Sequence, residues 1–242
     1  MPSDRPSAPS RAPLAIGAGV LAAAVLLGWA SYTATKPEGS GAGTSAAAAA
    51  ETRPRSALES VARRDADDPL AVGRHDAPVV LVEYADFQCG YCGVFARDTE
   101  PELVRRYVED GTLRIEFRNF PIFGEESEAA ARAAWAAGRQ GRFWEFHAAA
   151  YAEDAAGEGF TADRLRALAE EAGVADLDRF ARDMDGDKAR GAVARDRAEG
   201  YKLGVASTPS FLVNGYPVSG AQPLAVFADE VEEAARAAKD RG

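Results

Sequence analysis

The chain has 242 residues, of which 47% are apolar and 27% charged, and a formal net charge of −10, which fits one globular domain with a real core plus appendages. Beyond residue 60 there are 23 basic against 34 acidic side chains; with no basic stripe or aromatic-basic module, this balance argues against nucleic-acid binding. Two cysteines exclude a multi-disulfide scaffold and a four-cysteine zinc site, and both fall in Cys89-Gly90-Tyr91-Cys92.

From Leu14 to Ala30 the chain carries no charge; Arg5 and Arg11 precede this run, and Ser31, Tyr32 and Lys36 follow it. As a helix it reaches about 25 Å, or about 29 Å with Ser31 and Tyr32, just enough for a hydrocarbon core of about 30 Å. The pattern predicts a cytoplasmic N-terminus over 1–13 and a transmembrane signal-anchor helix over 14–32. The alternative is a cleaved signal peptide, although a cut after Ala34 would put Tyr32 at the third position back, where a small residue is wanted. Either reading exports the body of the chain, because the N-terminal arginines favour staying inside. Residues 33–57, rich in Gly, Ser, Ala and Pro, read as a flexible linker. The folded domain is expected over 58–242.

Within that domain, Val79-Val80-Leu81-Val82-Glu83-Tyr84-Ala85 is a β-branched run behind Pro78 and predicts a buried central strand. Phe95, Leu103, Val104 and Tyr107 predict a helix from about Gly90 to Val108, kinked at Pro101. Leu113 to Phe120 alternates as the next strand, so strand, helix and strand imply a parallel pair. Leu165, Leu168, Ala169 and Ala172, then Leu177, Phe180, Ala181 and Met184, give helical stripes. Breaks are expected at Gly138, Gly157, Gly173 and Gly186. Ser210 to Val213, the Asn214-Gly215 pair and Tyr216 to Val218 predict a hairpin. Leu224, Phe227 and Val231 line a closing helix with Pro223 at its first turn.

A C-x-x-C motif between a strand and a helix has a specific chemical meaning. With Cys89 at the helix start, unpaired N–H groups and the positive end of the helix dipole favour its thiolate, the nucleophile of disulfide exchange. Cys92, one turn later on the same side, can attack the mixed disulfide that Cys89 forms. A purely structural disulfide closing so short a loop would contribute only about 2 kcal/mol. Zinc would need two further ligands, and His75 and His147 lack the spacing. His147, in Phe143-Trp144-Glu145-Phe146-His147, reads as a helix residue packed against aromatics; His75 reads as solvated. No metal or cofactor is called for.

Asp86-Phe87-Gln88-Cys89-Gly90-Tyr91-Cys92 after an apolar strand, a helical block, and then Ser207-Thr208-Pro209-Ser210-Phe211 together resemble a DsbA-like thiol:disulfide oxidoreductase of the thioredoxin-fold family. The likeness covers about Pro69 to Lys239, with further matches in Asp68-Pro69-Leu70-Ala71-Val72-Gly73 and Gln140-Gly141-Arg142-Phe143-Trp144. It implies an α/β thioredoxin fold with a helical insertion at about 121–205. It also implies a cis peptide before Pro209 that presents the Thr208 backbone to a substrate strand, with Tyr91 in the same substrate-binding set. Glu83 matches the buried acid beneath the resolving cysteine, where desolvation would raise its pKa and fit it to relay the Cys92 proton. One departure stands out: strongly oxidising members carry Pro-His between the cysteines, whereas Gly90-Tyr91 resembles disulfide isomerases of the DsbC type, which have a dimerisation domain that residues 33–57 are too short to form. Tyr91 supplies no cation beside Cys89, so a milder potential is expected. The implied activity is extracytoplasmic exchange of the Cys89–Cys92 disulfide with cysteines of exported clients, reset by a membrane redox partner. The alternatives are a disulfide isomerase or reductase, or a non-catalytic peptide-binding module.

Overall fold

The computed structural model describes residues 56–152 and 159–241. The expected membrane helix at 14–32 and most of the expected linker lie outside them; among the described residues no helix is long and apolar enough to cross a membrane.

Five strands, β1 (Ala71–Val72), β2 (Val79–Ala85), β3 (Leu113–Asn119), β4 (Ser210–Val213) and β5 (Tyr216–Ser219), form one sheet in the order β1-β3-β2-β4-β5. β2 and β3 are parallel, and every other pairing is antiparallel. All seven residues of β2 are buried, as expected of a strand flanked on both edges and covered on both faces. The strand expected to reach Phe120 ends at Asn119. The two-residue β1 escaped the sequence reading because so short a stretch has no periodicity to read.

Helix α1 runs over 90–108, and α2 (Glu125–Gly138), α3 (Phe143–Ala150), α4 (Ala162–Glu171), α5 (Leu177–Asp185) and α6 (Asp187–Lys202) follow between β3 and β4. The closing helix α7 spans Leu224–Arg241. Thr161 and Asp176 cap α4 and α5 by accepting from the Arg164 and Arg179 N–H groups. In place of a simple kink at Pro101, α1 contains two π-helical stretches, Phe95–Thr99 and Val104–Val108, around an α-helical Glu100–Leu103. A wider turn before the proline accommodates the donor its ring lacks.

The two-residue period of β2 divides the core. Val79 and Leu81 pack with Phe95 and Leu103 of α1, Phe211 of β4 and Phe227 and Val231 of α7. On the other face Val80, Val82 and Tyr84 pack with Phe120 and Leu212. There α6 comes so close that a Cβ on Gly200 would sit 2.6 Å from the Phe120 ring. The Ala-rich α2 packs its small side chains against Phe143, Phe146, Leu165 and Phe180, in a cluster that also holds Phe87, Cys89 and Cys92. The helical block and the cysteine pair thus share one core.

The Asn214-Gly215 turn locks the hairpin to the sheet. Both residues have positive φ, 44° and 82°, as a tight two-residue hairpin turn requires. The Asn214 side chain accepts from Val80 N–H at 2.8 Å and donates to the Pro78 carbonyl at 3.1 Å. The segment before Glu59 lies so close that a Cβ at position 215 would meet backbone at 2.5 Å.

Candidate active site

Cys89 is the N-cap of α1, with extended backbone (φ −78°, ψ 113°). Its thiol donates to the Thr208 carbonyl at 3.2 Å, and its N–H donates to the Asp86 carbonyl at 3.0 Å. The Thr208-Pro209 peptide is cis, and the Thr208 carbonyl brings the loop before β4 to the cysteine. Among the flanking side chains Tyr91 is 71% exposed, Pro209 is buried and Thr208 half-buried. The structure therefore brings Cys89, Cys92, Tyr91, Thr208 and Pro209 to one end of the sheet.

The two sulfurs differ sharply. The Cys89 thiol is pushed down to about 6, chiefly because the Cys92 thiol donates to its sulfur; burial opposes this, and the N–H groups of Cys92 and Tyr91 add to it. Those two N–H groups are the unpaired donors of the first helical turn. Cys92 is fully buried, and burial pushes its thiol well up, aided by the hydrogen bond to Cys89 and the negative field of Glu83. Both cysteines are free thiols here.

Glu83 is completely buried in β2, opposite Phe117 and Phe211 on the neighbouring strands. Its position in the two-residue period puts it on the face of Leu81 and Ala85, the face covered by α1 and the cysteine pair. Neither carboxylate oxygen has a hydrogen-bond partner. Burial raises its pKa well above the ordinary carboxylate value, and the fields of Glu100 and Cys89 push it the same way.

Asp86, in the turn before Cys89, was read from sequence only as part of a motif. Its buried carboxylate accepts from Gln88 N–H at 2.8 Å, Ile122 N–H at 2.6 Å and Phe123 N–H at 3.2 Å, tying the loop that carries Cys89 to the segment after β3. An Asp whose carboxylate accepts from the N–H two residues on is the one local signal of this role. His147 is buried as expected among aromatics, with Phe87, Phe117, Phe143, Trp144 and Tyr151 around its ring.

Residues 65–233 match the thioredoxin family. The probable disulfide bond formation protein D of Bacillus cereus is 31% identical over 150 residues, covering 60% of this chain and 69% of that protein. The crystal structure of a thioredoxin-like oxidoreductase from Silicibacter pomeroyi is 31% identical and covers 76% of this chain and 99% of that one, with a TM-score of 0.63. The Na(+)/H(+) antiporter NhaA 3 of Salinispora tropica is 37% identical over 153 residues, 62% of this chain, but that stretch spans only 22% of the antiporter's length. With its strand order, its cysteines at the start of α1 and a cis-proline loop facing them, the chain belongs to the thioredoxin family, as a DsbA-like member.

Proposed function

We propose that the protein is a thiol:disulfide oxidoreductase in which Cys89 makes and breaks the bond to the client and Cys92 resolves it. The observation that carries this is the asymmetry of the pair: a thiol pushed down to about 6 at the helix start, hydrogen-bonded to the Thr208 carbonyl, beside a buried thiol pushed the other way. A stable thiolate is a good leaving group, so a client thiol attacking the Cys89–client disulfide releases Cys89 readily and carries the disulfide away. The Thr208 carbonyl meets the sulfur, Pro209 follows it and Tyr91 stands exposed two residues after Cys89, which supports them as the surface against which an extended client segment lies. Glu83 exchanges a proton with Cys92. The purified protein should accelerate disulfide formation in a reduced, unfolded test protein in a glutathione buffer, and Glu83→Gln should slow the Cys92 step at neutral pH on the order of tenfold or more. A protein that binds the test protein without accelerating the reaction would instead be a peptide-binding module.

The uncharged run over 14–32 and the arginines before it support an anchor that leaves residues 1–13 in the cytoplasm and, beyond the 33–57 linker, places domain 58–242 outside, where exported proteins are clients and a membrane partner resets the disulfide. A membrane-impermeant thiol reagent should label the reduced protein in intact cells. Labelling only after lysis would refute the exported location, and recovery of a shortened chain with soluble protein would replace the anchor by a cleaved signal.

A further inference from the structure

Three elements bring a cluster of buried titratable groups together beneath the sulfurs. Glu83 comes from β2, Glu100 from α1 and His147 from α3, with Tyr151 just beyond α3. Both Glu83 oxygens, Glu100 Oε1, His147 Nε2 and the Tyr151 hydroxyl are buried without a hydrogen-bond partner. His147 Nδ1 lies 3.5 Å from Glu100 Oε2. No cation acts on either carboxyl among the described residues. Burial raises Glu100 to about 8 and lowers His147 to about 3, so the imidazole is neutral and acts on Glu100 as a dipole. The other groups facing the cluster are the two cysteine thiols and Asp86, whose fields reach Tyr151 along with that of Glu83; the Asp86 carboxylate is held by three N–H groups. The Arg97 guanidinium turns to the Tyr151 carbonyl at 2.6 Å.

Two carboxyls that feel each other in apolar surroundings are not both ionised at neutral pH; they titrate as a pair. They differ in one respect that gives the pair a direction. Glu83 is 0% exposed, whereas the Glu100 side chain keeps 8% of its surface open.

We propose that Glu100, acting through Glu83, is the outlet of the proton route for the Cys92 step, and that His147 positions the Glu100 carboxyl. The proposal rests on Cys92 being the resolving thiol and Glu83 its proton acceptor. In the resolving direction the Cys92 S–H bond breaks, the Cys89–Cys92 disulfide forms and the Cys89–client bond breaks. The proton from Cys92 goes to Glu83, an equivalent proton leaves from Glu100 to water, and the departing client thiolate takes its proton from water. When a client thiolate opens the disulfide, the same groups run in reverse and protonate Cys92 as it leaves.

The test uses the full chain in its reduced form and a symmetric aromatic disulfide that releases a coloured thiolate. Attack by Cys89 releases one equivalent, and attack by Cys92 releases a second. Glu100→Gln should slow the second release several-fold above its pH midpoint, because the outlet for the proton is gone, and move that midpoint about one unit to lower pH, because removing a like charge lets Glu83 ionise sooner. A shifted midpoint without slowing makes Glu100 only a neighbouring charge and overturns the outlet. His147→Phe, which keeps the space filled with an aromatic ring, should raise the pH at which the infrared band of the protonated Glu100 carboxyl disappears. If Glu83→Gln alters the second release while Glu100→Gln leaves its pH profile on that of the parent, the proposal is overturned and the reading of Glu83 stands. If Glu83→Gln also has no effect, the reading of Glu83 fails and takes the proposal with it. Absence of any protonated-carboxyl band in the reduced parent at neutral pH would overturn the shared proton directly, whatever the variants do.

Discussion

Cys92→Ala should turn the protein into a trap, with mixed disulfides between Cys89 and client proteins accumulating, whereas Cys89→Ala should form none and fall to the uncatalysed rate. The first follows because the resolving thiol is gone while the attacking sulfur remains at the helix start beside Thr208. The second follows because Cys92 is fully buried and its thiol is pushed well up by burial, which leaves it neither reachable nor ionised for the first attack. A Cys89 pKa of about 6 makes the thiolate about tenfold more abundant than the thiol at pH 7. Most of that gain is offset in attack, because nucleophilicity falls with pKa; the larger benefit is in departure, where a stable thiolate leaves faster. The Cys92 thiol is the largest cause of the depression, so the Cys89 pKa should rise in Cys92→Ala, seen as a thiolate absorbance that appears at higher pH than in the parent. Equal trapping by the two variants on non-reducing gels would remove the assignment.

The largest stability effect is expected far from the sulfurs, at Glu116. Its fully buried carboxylate receives Arg118 Nη2 at 2.6 Å and Arg114 Nε at 3.0 Å, together with the Arg63 and Arg64 N–H groups at 2.9 and 2.8 Å. Arg118, also fully buried, reaches on to Glu199 at 3.2 Å, and Arg63 bonds both Asp196 and Glu199. Burial works against the Glu116 charge, yet the Arg118 guanidinium and these donors hold its pKa below the ordinary value. Glu116→Gln removes the buried charge that Arg118 Nη2 and Arg114 Nε share and should cost about 3–5 kcal/mol in urea unfolding. Because the folded pKa lies below the unfolded one, the stabilisation from Glu116 is fully present above the unfolded pKa and is lost as pH falls through the folded value. The parent should therefore lose more stability on acidification than the variant. A cost below about 1 kcal/mol would mean that the remaining ion pairs re-form around the gap.

What could be read without coordinates was whatever short-range spacing determines. The run from Val79 to Ala85, the four-residue cysteine motif and the Asn214-Gly215 hairpin carry their geometry locally, and the family resemblance placed Pro209 and Glu83 against the sulfurs. Glu100 was not legible. In Thr99-Glu100-Pro101-Glu102 it reads as one more acid midway along the helix expected over 90–108, beside Glu102, which does pair with Arg105 and Arg106 at the surface. Cys92, Phe95, Thr99, Glu100 and Leu103 lie on one helical stripe, but an acid between Thr99 and a proline carries no local sign that His147 of α3 closes over it. The reach of Arg63 to Asp196 and Glu199, and of Asp86 to Ile122, likewise depends on long chain separations that no local pattern encodes.

The borders of the sheet matter for any protein whose partners arrive unfolded. One border is β1, two residues long; the other is β5, with an exposed Pro217 at its second position. A proline offers no donor for another strand to pair with, and two residues give too little ladder for one to hold. An incoming chain thus finds little purchase for indiscriminate zippering along either flank. Crowded assembly intermediates, each with sticky strands of their own, can pass such a molecule without being enrolled into its architecture.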